Sequence, residues 1–75
     1  MKIYGRTDHS DSELEMLCET NLVADPTILR ELASFLYRCA DSNENQGENW
    51  GYEHFESNEF ENSKFVVFNP DIVDA

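Results

Sequence analysis

The stretch Asp25–Asp41, DPTILRELASFLYRCAD, decides the fold, because its start, its period and its end agree on one helix. The Asp25 carboxylate can accept a hydrogen bond from an orphan N–H of the first turn. Pro26 suits the first helical position, where its missing N–H would have had no partner. Ile28, Leu29, Leu32, Ala33, Phe35, Leu36, Cys39 and Ala40 recur at helical spacing and draw a wide apolar stripe down one side. Such a stripe needs a surface to cover. The other apolar residues fall before and after the helix in short runs with strand character, so the helix is expected to lie across one face of a small sheet.

Upstream, Lys2–Thr7 reads as a short strand in which Gly5 marks a bulge or a close backbone approach, and DHSDS supplies turn chemistry. From Glu13 the chain alternates. Leu14, Met16, Cys18, Leu22 and Ala24 share one parity and Glu13, Glu15 and Glu19 the other, which predicts a half-buried strand whose even face meets the helix. The odd face also carries Leu17 and Val23, and Thr20 and Asn21 leave room for a bulge. Downstream, SNENQGENWG reads as a loop, Tyr52–Ser57 as a third strand and NEFENS as a polar turn. Lys64–Asn69, KFVVFN, is the strongest strand, stopped by Pro70, and the tail DIVDA is expected to be frayed or loosely docked.

The order ββαββ predicts an α+β fold over residues 1–75, one small domain with a four-stranded antiparallel sheet of order 1-2-4-3 and one helix packed on one face. Strand four is apolar on both faces. Either Phe65 and Val67 or Val66 and Phe68 must then sit on the uncovered face, beneath the tail, Trp50 or another protein chain.

At 75 residues the chain is near the size that buries only about 60% of its unfolded surface. Its 40% hydrophobic content, with one Trp, three Tyr and five Phe, suffices for one core. Sixteen acidic residues against five basic ones give a net charge of -11. That balance argues against nucleic acid and anionic membranes, which need clustered Lys and Arg, and favours a basic protein partner. The N-terminal residues lack an apolar signal core, and no run approaches the roughly 18 apolar residues of a membrane span, so a cytoplasmic location is expected. Cys18 and Cys39 show neither C-x-x-C nor metal-ligand spacing and are expected as reduced, buried thiols.

No catalytic pattern emerges. Ser10, Ser12 and the cysteines lack a nucleophile elbow or a placed base, and no glycine-rich phosphate cradle is present, so no enzyme activity and no cofactor are expected. His9 and His54, with Asp8, Asp11, Glu53 and Glu56 nearby, do not have the spacing of a zinc site. Asp41, Asn43, Asn45, Gly47 and Glu53 alternate oxygens as a calcium loop does, but glycine and glutamate fall one position too late and no second helix follows. A metal-responsive module built on the two histidines is thus the weaker of the binding readings. The segment Asp41–Glu61 remains, carrying seven acids, Trp50, Tyr52, Phe55 and Phe60, and no Lys or Arg. Aromatic anchors among carboxylates suit an interface with a cationic partner, while the plainer account gives Trp50 and Phe55 to the core and leaves the acids solvated.

The stretches LEMLCETNLVADPTILRELASFLYRCA, GYEHFES and KFVVFNP resemble the small bacterial immunity proteins encoded with polymorphic toxins, specifically immunity protein family thirty-two. The matching pieces are Ala24, Asp25 and Pro26 at the helix start, the leucine-rich helix, Glu53-His54 followed by Phe55, and a terminal strand ending in Asn69-Pro70. The resemblance implies a non-enzymatic α+β protein that binds and neutralises a cognate toxin. On that reading Glu48, Glu53, Glu56 and Glu59 are charge partners of a basic toxin domain, Trp50 and Tyr52 are anchors, and His54 is a structural or interface polar group. The rival reading is a small dimeric structural or regulatory protein that uses the open sheet face as its interface, with its acidity only solubilising.

Overall fold

The structure is a computed structural model and describes residues 1–7, 11–56 and 64–73. In chain order it contains β1 (Tyr4–Gly5), β2 (Glu15–Met16), α1 (Pro26–Gln46), a 3-10 turn (Gly47–Asn49), β3 (Tyr52–His54), β4 (Val66–Phe68) and α2 (Pro70–Val73). The class is α+β, with every strand pair antiparallel.

The helix begins as its sequence dictates. Asp25 is extended, and its Oδ1 accepts the Ile28 N–H at 3.0 Å, while Pro26 opens the first turn. Asp25→Ala removes this cap and is expected to cost about 1 kcal/mol, read as a lower urea midpoint, with Asp25→Asn close to the parent.

The far end differs from expectation, because α1 continues beyond Asp41 through SNENQ to Gln46. Ser42 and Asn43 are half-buried, so these residues extend the helix instead of leaving it as a loop. The stop falls at Gly47, which takes φ 56° and donates its N–H to Asn43 O; positive φ is open to glycine at little cost.

One seam of α1, Ile28, Leu32, Phe35 and Cys39, is buried. Phe35 is its centre at 1% exposure, its ring tilted against Phe55 at 5.2 Å and meeting Phe65 edge-on at 6.5 Å. Trp50 completes this cluster, and Phe65 and Val67 pack against it, so the core lies between α1 and the inner face of the β3–β4 hairpin. The rest of the predicted stripe, Leu29, Ala33, Leu36 and Ala40, is exposed.

The expected single sheet of order 1-2-4-3 is not what the described residues form. They make two separate two-stranded sheets, β1–β2 and β3–β4. The β1–β2 hairpin pairs Tyr4 with Met16 and Gly5 with Glu15, and Leu17 N–H donates to Ile3 O at 2.7 Å. Leu17 lies across Gly5 so closely that a Cβ there would sit 2.9 Å from its Cδ1, the close approach that glycine permits. Leu17 nevertheless stays exposed, as do Glu13, Glu15 and Glu19 on the same parity. The even face, expected against the helix, is exposed: Leu14 is 62% and Met16 63% accessible, and Cys18 is exposed rather than buried.

Asn69 is fully buried and ties the C-terminal end of the described chain to the helix end. Its Nδ2 donates to Gly47 O at 3.0 Å and to Trp50 O at 2.8 Å, its backbone N–H donates to Gly51 O at 2.8 Å, and its Oδ1 accepts the Asp71 N–H at 3.0 Å. That last bond sits at the start of a short helix over residues 70–73, in a tail expected to be frayed or loosely docked. No described helix is long and apolar enough to cross a membrane.

Candidate functional site

Strand alternation decides which residues β3 and β4 present outward. Cα pairing sets Tyr52 against Phe68, Glu53 against Val67 and His54 against Val66. Val67 packs on the core, so the Glu53/Val67 pair faces inward and Tyr52, His54, Val66 and Phe68 share the outer face. The rings there touch: Tyr52 lies 5.3 Å from Phe68 and 5.6 Å from His54, centroid to centroid. Tyr52 is 55% and Phe68 47% exposed, an aromatic surface that the described residues leave open to solvent.

The two anchors proposed from sequence separate, because Trp50 stands before β3, at the end of the 3-10 turn. Tyr52 is presented, whereas Trp50 is only 5% exposed and belongs to the core. Its indole Nε1–H donates to Glu53 Oε1 at 3.0 Å, which satisfies the one polar group that burying a tryptophan would otherwise orphan. Glu53 is half-buried and gives one carboxylate oxygen to this internal bond. Glu48, on the 3-10 turn, and Glu56, just past β3, are exposed, as is His54. Glu59 lies outside the described residues, as do His9 and Phe60.

Tyr52, Glu53, His54 and Glu56 also meet Phe35 and Arg38 of α1 around an open cleft of about 430 Å³. Arg38 places its guanidinium carbon 5.9 Å from the centre of the Phe35 ring, capping the core aromatic at the cleft wall. Behind the wall, burial first and the Glu53 charge second push the Cys39 thiol up from its ordinary value, with Arg38 opposing. Cys39 is thus a neutral thiol at physiological pH and acts as a packing residue. Among the described residues no group of three or more His, Cys, Asp or Glu could hold a metal ion.

Residue-type reasoning missed Phe68 and Arg38. Phe68 was legible only as one of two possible faces of an apolar strand, and pairing with Tyr52 selects the face. Arg38 sits next to the buried Cys39 in a helix whose orientation on the hairpin had to be known before the cleft could be drawn. In comparisons with known proteins, the chain matches no family model, no curated protein and no solved structure.

Proposed function

We propose that this chain is a non-enzymatic acidic binding protein, an immunity protein that neutralises a cognate bacterial toxin in the cytoplasm by covering its basic surface. The observation that carries the reading is the exposed Tyr52–His54–Phe68 surface on a chain of net charge -11. Aromatic rings supply contact area at low entropic cost, and the surrounding negative field draws a cationic partner and orients it. The likeness of the helix start, GYEHFES and KFVVFNP to immunity proteins points the same way. Inhibition is by occlusion: Glu48 and Glu56 stand where phosphates of a nucleic-acid substrate would, and the rings seal the contact. Glu53 contributes charge while holding Trp50 in place.

The test is capture of the tagged chain's partner from source cells at low and high salt, followed by binding measurements on the partner recovered. One basic protein, released at high salt and inhibited by the chain, is expected. The pair Glu48→Lys and Glu56→Lys should weaken binding by about tenfold or more and flatten its salt dependence, because both groups are exposed and neither holds the fold. Unchanged affinity for a basic partner would remove these residues from the interface.

A further inference from the structure

The cleft between α1 and β3 runs along the free edge of that strand. Its lining takes Tyr52 and His54 from the outer face of β3 and Glu53 from the inner face, and no described residue of β4. A hollow that borders both faces of a strand without touching its neighbour lies at the outer edge. The backbone agrees. Phe55 N–H donates to Phe65 O at 2.7 Å and Asn69 N–H to Gly51 O at 2.8 Å, so residues 51, 53 and 55 turn their backbone groups toward β4. Tyr52 and His54, in alternation, turn theirs the other way, into the cleft, and no described strand takes them up.

The charged groups beside this edge are Glu53, Glu56 and Arg38. Arg38 is held over the Phe35 ring at 5.9 Å. Glu53 is half-buried; the Trp50 indole N–H fixes its Oε1 at 3.0 Å, and its other oxygen makes no hydrogen bond among the described residues. A carboxylate partly drawn from water and already oriented binds a cation without first having to be ordered.

We propose that the β3 edge takes an extended segment of a basic protein partner as a third strand, with one arginine opposite Glu53. Paired antiparallel, the segment bonds through the backbone of Tyr52 and His54. Glu53 and the residue facing it then form a non-hydrogen-bonded pair, the arrangement that brings side chains closest. The carboxylates that repel an acidic strand, a second copy included, admit a cationic one. Charge sets the number as well as the sign. Glu53 and Glu56 against Arg38 leave the cleft one negative charge, which matches a single cation and not a polybasic run. Arginine suits the place better than lysine, because its planar fork pairs with carboxylate and its face stacks on a ring such as Tyr52. The residues on either side of it, beside the Tyr52 and His54 rings, are apolar.

That the occupant is a protein partner rests on the toxin-binding reading, whereas the edge and its cleft do not. The probe is therefore a peptide, acetyl-Thr-Val-Arg-Val-Thr-amide, titrated into the isotope-labelled full chain and followed by NMR. Saturable shifts and slowed exchange are expected at the Tyr52 and His54 amides, with those of Val66 and Phe68, on the opposite edge, unmoved. Citrulline in place of the peptide's arginine removes the charge at nearly constant shape and should weaken binding about fivefold. Glu53→Gln should do the same, since its side-chain carbonyl still accepts the Trp50 N–H. If Glu53→Gln fails to fold, the probe decides alone: N-methylation of both valines removes the strand bonds and should abolish binding.

No shift at about millimolar peptide overturns the proposal. So do shifts at Val66 and Phe68 instead, equal binding of the citrulline peptide, or tighter binding of a peptide with glutamate at the arginine position, which would give the cleft to Arg38. A captured basic partner tells the two readings apart. If it binds while the Tyr52 and His54 amides exchange as in the free chain, toxin binding stands and the third strand falls; peptide binding with no basic partner in the source cells gives the reverse.

Discussion

Asn69→Ala is expected to lower unfolding free energy by about 3 kcal/mol or more, which in a domain of this size is a large fraction of the whole. The side chain makes three hydrogen bonds, to Gly47 O, Trp50 O and the Asp71 N–H, from a position with no solvent access. Alanine removes all three and strands Trp50 O beside an apolar void, so the cost includes the desolvation of that carbonyl as well as the bonds themselves. Asn69→Asp separates charge from shape. A carboxylate would face two carbonyl oxygens, so burial and that repulsion should raise its folded pKa above the unfolded value. The sign then runs one way: the variant binds a proton more tightly when folded, so its stability relative to the parent is greatest at acid pH and falls as pH rises through the folded pKa. Urea unfolding of parent and variants across a pH series measures both effects. An Asn69→Asp midpoint that tracks the parent's at every pH would show that the amide bonds carry little.

Phe35→Ala should remove about 3 to 5 kcal/mol, enough to leave much of the protein unfolded at room temperature. Phe35 joins α1 to both sides of the second hairpin, through Phe55 just after β3 and Phe65 just before β4, and Arg38 covers it. Truncation opens a cavity bounded by three elements that cannot all move in to fill it. Phe35→Leu keeps most of the volume and should cost about 1.5 kcal/mol or less. Thermal and urea unfolding monitored by Trp50 fluorescence follow the change directly, since Trp50 belongs to the same cluster. Equal losses for Leu and Ala would mean that the ring edges, and not the filled volume, hold the cluster together.

The parts of this fold that could be read in the residues are those fixed by local chemistry. Asp25 and Pro26 specify where α1 starts, whereas the period drew a stripe of eight apolar residues of which the helix buries four, Ile28, Leu32, Phe35 and Cys39. The helix end was obscured because Ser, Asn and Gln favour turns in isolation, while Gly47, the residue able to reverse the chain, stands after them. Each hairpin was visible, but their union was not decided, because whether β2 meets β4 depends on edges far apart in the chain. Asn69 shows the same limit at one residue. In the sequence it is the last residue of a strand that Pro70 stops, and nothing local names its partners, which lie 19 and 22 residues away. At the site, Trp50 and Tyr52 read alike as anchors, with a core Trp50 the plainer alternative, and they part because Trp50 ends the 3-10 turn before β3 and is buried while Tyr52 opens the strand and is exposed.

The dependence of Phe35 on Phe55 and Phe65 has a consequence for biosynthesis. The ribosome makes α1 well before the residues that cover its seam, so a nascent chain carries a formed or forming helix with no surface to rest on. Stable structure is reached only after β4 and Asn69 have cleared the exit tunnel. Until then Phe35 is available to chaperones, and a chain arrested between the helix and Phe65 should be bound and degraded rather than released as a shorter folded product.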